Sequence, residues 1–548
     1  MTTLKQGGGG LGRAARESFN TRGAFILAAI GSAVGLGNIW RFPYVAYESG
    51  GGAFIIPYLV ALLTAGIPLL FFDYAIGHRY KGSPPLAFRR MGKGVEAIGW
   101  WQVLICFVIG VYYAAIVAWA AMYTYFSFTK AWGDDPEAFF FGNYLELADA
   151  PGVVFDFVDG VWIPMVAVWL VLLTILGLGV RRGIAKASLV AMPVLIIMFL
   201  ILVGIALTLP GSTSGLDALF TPDWAALANP QIWIAAYGQI FFSLSIGFGI
   251  MVTYSSYLKR RSNLTGSGLV VGFSNSAFEI LAAIGVFAAL GFMAQAANTS
   301  VDGVVTSGLG LAFVAFPAII SQAPMGSLIG VLFFGSLVFA GFTSLVSILE
   351  VVISAVKDKL GWSRGLTTAI VGGACAIISV VLFGTTTGVY VLDVSDAFVN
   401  NLGIVGAAFV SVLVVSWGLR RLPALAEHLN AISSFKVGMI WRVLVSVVMP
   451  IVLGYLLIAD IVSKATTPYE DMPLDFLAVF GWGMSASLII LSIVLAVMPW
   501  PSNAALHREA SHEDDEEAEL VSANTGAANA GATDADVNPD NPYREGRQ

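Results

Sequence analysis

Long apolar runs separated by short polar stretches follow one another from about residue 22 to residue 500. Runs such as 161–180 and 187–209 reach the roughly 20 residues that a helix needs to cross a bilayer. A backbone in hydrocarbon must satisfy its own hydrogen bonds, so each run is read as a helix. Dividing the chain at its polar breaks predicts twelve spans, near 22–45, 52–78, 97–128, 161–180, 187–209, 231–257, 269–296, 327–356, 366–383, 390–418, 438–463 and 474–498.

The distribution of basic residues tests that count. They cluster at 5–22, 79–93, 181–186, 259–261, 357–364 and 420–442, which are every second connection and hold 22 of the 28 Lys and Arg. The loops between carry only Lys130 and Lys464. Twelve spans with both termini in the cytoplasm of a plasma-membrane protein are expected, with the acidic 131–160 loop and the amphipathic 302–323 loop outside.

Composition changes the picture in two ways. At 57% hydrophobic, 11% charged and a mean hydropathy of +0.81 the chain is made for lipid. Its net charge of -7 is a property of its end, because residues 507–548 contribute -8, including the run EDDEE at 513–517. Residues 501–548 are therefore read as an acidic, solvated, disordered tail. Cys106 and Cys375 each sit alone in an apolar run, so neither a disulfide nor structural zinc is expected. No cleaved signal peptide, nucleic-acid partner or organic cofactor is expected, and the sequence carries no signal for oligomeric state.

Two spans are interrupted at corresponding places. The first reads Gly31-Ser-Ala-Val-Gly35-Leu-Gly37-Asn38 and the sixth Ser243-Leu-Ser245-Ile-Gly247-Phe-Gly249. Glycine permits unusual backbone angles, so either segment can unwind in mid-membrane; glycine also permits close helix packing. Breaks five spans apart are the mark of two inverted five-helix halves with a binding site between them.

Residues 31–43 (GSAVGLGNIWRFP), 50–58 (GGGAFIIPY), 239–249 (QIFFSLSIGFG) and 340–344 (AGFTS) together resemble the neurotransmitter:sodium symporter family, from about Arg16 to Trp500. The resemblance implies an all-α fold with an N-terminal segment at 1–21, inverted repeats at 22–209 (helices 1–5) and 231–418 (helices 6–10), and two further helices at 437–500. It also implies sodium import coupled to a solute, with two sodium ions and a neutral, hydrophobic amino acid as the cargo.

Sodium is a hard cation that needs oxygen ligands, which an unwound helix supplies. By similarity one sodium meets Ala33, Asn38, Ser243, Asn275 and the substrate carboxylate. The second meets Gly31, Val34, Ala340, Thr343 and Ser344, unless the last two hydroxyls simply bond back to their own helix. The substrate carboxylate faces the N–H groups of Leu36 and Gly37, helped by Tyr113, while its amine meets carbonyls of Ala33, Phe242 and Ser243. Its side chain lies among Ile109, Tyr113, Ile116, Phe242, Ser245, Phe248 and Ile348.

Charged residues inside a membrane are functional candidates. Arg41 and Asp396 correspond to an outer gate closed through water, with Tyr113 and Phe248 as a lid. Arg16 and Asp358, with Phe19, Ser256 and Tyr257 around them, correspond to an inner gate; Phe19 stands where many members have Trp. Chloride-dependent relatives hold chloride among groups matching Tyr58, Gln239, Ser243 and Asn275. Here Glu279 supplies the negative charge, which implies chloride independence and a route to proton antiport, although Ser243 stands where chloride-independent members often carry Thr. Asp73 and Glu350 are expected to pair with backbone or water, and Asp393 to support Asp396. An enzyme is not expected, for want of a nucleophile–base pair or metal-spaced cluster. A nontransporting sensor and an amine or osmolyte symporter remain the competing functions.

Overall fold

The computed structural model describes residues 17–305, 308–502 and 506. Arg16 and nearly all of the 501–548 tail, including the acidic run, lie outside them.

Among the described residues ten continuous helices are long and apolar enough to cross a membrane: Gly52–Tyr80, Lys93–Phe126, Asp159–Gly177, Val180–Thr208, Leu264–Ala296, Gly326–Leu360, Arg364–Phe383, Gly388–Gly418, Met439–Asp471 and Leu474–Val497. They are spans 2–5 and 7–12. Span 1 is a pair, Arg22–Ala33 and Leu36–Glu48, bent by 55°. Span 6 is broken more deeply, into Pro230–Ser243 and Ile250–Ser256, so it meets no test of continuous length and yet completes the twelve. The protein is an all-helical, multi-pass membrane protein, with its two interruptions at matching places in spans 1–5 and 6–10.

The two breaks use glycine differently. At span 1 the backbone of Val34 and Gly35 is merely extended; Gly35 is needed for closeness, because a Cβ there would lie 3.1 Å from the Ser344 hydroxyl and 3.3 Å from that of Tyr113. At span 6 the backbone turns left-handed at Ser245, Gly247 and Gly249, with Gly247 at φ +86°. Both readings of the glycines are thus realised, one at each break.

Unwound backbone in a membrane needs partners. The Gly35 N–H is taken by the Asn38 side chain at 2.9 Å, which caps the second half of span 1. Around span 6, the Gly247 N–H donates to Asp73 at 3.1 Å, Gln102 donates to the Gly247 carbonyl at 3.1 Å, and Cys106 donates to the Phe248 carbonyl at 3.1 Å. Asp73 therefore pairs with backbone as expected. The Ser245 hydroxyl crosses to the Ser32 carbonyl at 2.8 Å and joins the two breaks.

Spans 3 and 8 pack on each other and are each 78% buried in their most apolar stretch, against 17% and 22% for spans 11 and 12. The core is therefore built on spans 3 and 8, with span 1 lying against spans 5, 7 and 8. The apolar stretch after residue 302 forms the helix Gly308–Gln322. Shorter helices over Pro84–Met91, Ser212–Phe220 and Leu422–Ile432 fill connections that carry no span-length apolar signal.

Candidate functional site

The break in span 1 is the centre of the site, and the residues expected for two cation positions gather on its two sides. On one side Asn38 donates to Asn275 at 2.9 Å and Asn275 donates to Ser243 at 3.0 Å, linking spans 1, 7 and 6. Ala33 is buried at the end of the first half-helix. On the other side the Ser344 hydroxyl lies 3.3, 3.2 and 3.5 Å from the carbonyls of Gly31, Ser32 and Val34. One hydroxyl has one proton, so it can serve only one of these three acceptors at a time. Thr343 sits beside Gly31, with its hydroxyl bonded back to Phe339 at 3.0 Å and to Ala340 at 3.1 Å. Back-bonding thus holds for Thr343, whereas Ser344 reaches across to span 1.

The Leu36 N–H, at the start of the second half-helix, donates to the Tyr113 hydroxyl at 3.3 Å. Ile109, Ile116, Phe248 and Ile348 are buried apolar side chains, and Phe242 and Tyr113 are partly buried. Gly37 is unobstructed at its Cα. Ser245, expected among the side-chain contacts, has its hydroxyl on Ser32.

Glu279 is fully buried one turn from Asn275. Gln239 donates to it at 2.6 Å and the Tyr58 hydroxyl also donates to it. Of the four groups matched to a chloride site, Tyr58, Gln239 and Ser243 bond to the carboxylate, and Ser243 also accepts from Asn275, which joins it to the amide chain from Asn38.

At the Arg41 end of the pathway the guanidinium lies 4.4 Å over the Phe242 ring. Asp396 accepts from Tyr112 at 2.5 Å and from Asn400 at 2.8 Å. Arg41 and Asp396 make no direct ion pair with each other. Asp393 accepts from Tyr469 at 3.4 Å.

The other end is crowded. Phe19 is buried against Phe25, Tyr254 and Tyr257, and its N–H donates to the Tyr257 carbonyl at 3.1 Å. Ser256 donates to Thr253 at 2.5 Å, and Asp358 accepts from the Ser83 N–H at 3.0 Å. Arg16, the expected partner of Asp358, lies outside the described residues. Glu350 differs from expectation. It pairs not with backbone or water but with Arg364, through bonds of 2.9 and 2.5 Å, and it accepts from Tyr257 at 2.6 Å. Arg364 also reaches Glu17 at 3.1 Å, and Glu17 pairs with Lys357 at 3.0 Å. Burial raises the Glu17 carboxyl, but Arg364, the Val180 N–H and Lys357 outweigh it and hold the group below its ordinary value of 4.5. Arg364 and Glu17 were hidden from sequence reasoning. Arg364 belongs to a basic cluster that the topology already explains, and the only signal was a lone Glu350 in an apolar span that needed a cation.

Helix breaks that present oxygens at the middle of a twelve-span bundle, between a polar end and an ion-paired end, define a membrane transport protein. The family model described as the sodium:neurotransmitter symporter family matches residues 16–139 and 133–502, and the chain belongs to that family. It is 40% identical over 484 residues to an uncharacterised sodium-dependent transporter of Methanocaldococcus jannaschii, covering 88% of this chain and 98% of that protein. It is 29% identical over 513 residues to the sodium-dependent serotonin transporter of Drosophila melanogaster, covering 87% and 81%. The protein is a sodium-dependent transporter that works in a membrane.

Proposed function

We propose that the protein imports a neutral, hydrophobic amino acid with sodium across the plasma membrane, by alternating access and without chloride. The observation that carries this reading is the Leu36 N–H at the start of a half-helix, bonded to the Tyr113 hydroxyl in a site otherwise lined by apolar side chains and neutral hydrogen-bonding groups. A helix start favours an anion, so a carboxylate has two donors there, Leu36 and Tyr113. Beside them stands Gly35, packed against Ser344 and Tyr113, and not an acid that would pair with an amine. An amine without a carboxylate leaves those donors unmatched, which costs affinity.

Two sodium ions fit the two clusters. One takes Ala33, Asn38, Ser243, Asn275 and the substrate carboxylate, so that ion and solute complete each other's site. The other takes Gly31, Val34, Ala340, Thr343 and Ser344, where carbonyls outnumber the protons available to them. Glu279 provides the fixed negative charge beside the first. Both termini lie in the cytoplasm.

The test is uptake into liposomes containing the purified protein under an imposed sodium gradient, screened over all standard amino acids. Accumulation of apolar amino acids, unchanged when chloride is replaced by gluconate and abolished for their methyl esters, is the expected result. Equal transport of the decarboxylated amines overturns the substrate assignment, and binding without accumulation makes the protein a sensor.

A further inference from the structure

Three consecutive residues at the cytoplasmic end of span 8 reach three different partners. Lys357 pairs with Glu17 of the N-terminal segment, Asp358 takes the Ser83 N–H, and Lys359 turns to the opposite side. There its ammonium is buried, 2.6 Å from Glu96 and 4.4 Å over the ring of Trp500. Glu96, also buried, opens the long helix of span 3 and is bound on both oxygens. One oxygen takes Lys359 and Trp100, the latter at 3.1 Å; the other takes the Trp500 indole N–H at 2.9 Å and faces Arg89 at 3.7 Å.

Trp500 lies beyond the last residue of span 12, between Pro499 and Pro501. A proline restrains the residue before it to extended backbone, so Met498 and Trp500 are both held out of helix and the indole is presented on a stiff arm. Pro501 continues the contact: a Cβ on Gly361, which ends span 8 in a left-handed turn, would lie 3.8 Å from its ring. The chain after span 12 is thereby fastened to the same turn of helix that holds the N-terminal segment.

We propose that Trp500 is a positioning residue of the inner gate. With Glu96 and Lys359 it braces the end of span 8, so that Lys357 and Asp358 stay where they close the cytoplasmic side. The proposal rests on reading Phe19, Ser256, Tyr257 and Asp358 as that gate. Without the indole, Lys359 keeps its carboxylate and the more distant Trp100 ring at 5.8 Å but loses the nearer ring, and the end of span 8 gains freedom on the side away from Glu17. A closed state that needs both sides held then loses ground to the inward-open state. Sodium, by binding between spans 1 and 8, opposes that shift.

The experiment uses the full chain with Cys106 and Cys375 replaced by alanine and a Ser256→Cys reporter, alkylated from the cytoplasmic side. With Trp500 present, alkylation is faster without sodium than with it. Trp500→Ala raises the sodium-free rate about fivefold and weakens apparent sodium affinity, while saturating sodium restores slow alkylation and the number of substrate sites is unchanged. Trp500→Phe, which keeps the ring and loses the N–H, falls between and serves if the alanine variant does not fold. A Trp500→Ala rate within twofold of the parent, or a Trp500→Phe rate equal to the parent's where the alanine variant does not fold, overturns the brace, as does a rise that saturating sodium fails to reverse. A parent rate indifferent to sodium overturns the gate itself.

Discussion

The two ends of the pathway are built from the same kinds of side chain and are held in different ways. At one end Arg41 and Asp396 are each satisfied by other groups, the cation by the Phe242 ring and the carboxylate by Tyr112 and Asn400. At the other end Glu17, Lys357, Arg364, Glu350 and Tyr257 form one continuous chain around the buried Phe19. The difference lies in desolvation. A buried ion pair that is broken leaves a charge without water, whereas Arg41 and Asp396 can separate because each keeps a local partner. In this conformation it is the Glu17 end that is tied together by ion pairs.

The comparison breaks most decisively at Glu350. Glu350 is fully buried and Arg364 nearly so, so Glu350→Gln removes about 3–5 kcal/mol of stability, read as a lowered melting temperature in detergent. Replacing both partners by apolar residues recovers much of that loss; a double variant as unstable as the single would mean that the stability came from the pair itself and not from avoiding a stranded charge.

Between the two ends, Ser344 joins span 8 to the carbonyls of the span 1 break. Ser344→Ala raises the sodium concentration for half-maximal uptake roughly 10- to 100-fold, the equivalent of ~1.5–3 kcal/mol for one oxygen on a charged ligand. Unchanged sodium dependence would remove this position from the ion site. A smaller effect is expected from Tyr112→Phe, which withdraws one of two donors from Asp396 and leaves it freer to meet Arg41. Outward release of substrate from preloaded vesicles then slows by roughly fivefold, about 1 kcal/mol. Faster release would show that Tyr112 holds the outer end closed rather than open.

Much of this arrangement is legible in the chain, and what is not has identifiable physical reasons. Span positions follow from apolar length, and the first break is announced by Gly31, Gly35, Gly37 and Asn38. The depth of the second break is not, because Ser245 adopts a left-handed backbone that its side chain does not advertise. Asn38, Asn275 and Ser243 do come together, as their resemblance implies. The inner network is harder to foresee: Arg364 and Lys357 belong to a basic cluster that the charge alternation already explains, and they also pair with acids. Trp500 reads as an ordinary interfacial tryptophan, and only its contact with Glu96 and Lys359 separates it from one.

The smallest effect concerns Glu17, and its sign discriminates the inner end from the outer. Glu17 is about a quarter exposed, at 26%, so its two ion pairs are worth only about 1 kcal/mol in total after solvent screening. Its carboxyl is held below its unfolded value, so this stability is fully present above the ordinary glutamate range and is lost as pH falls through the lower folded value. Mild acidification therefore leaves the network intact. Glu17→Gln should melt slightly below the parent at neutral pH, with the gap closing only in strong acid. A gap that widens on acidification would mean that Glu17 is held protonated, and the inner end would then be a hydrogen-bonded closure instead of an ion-paired one.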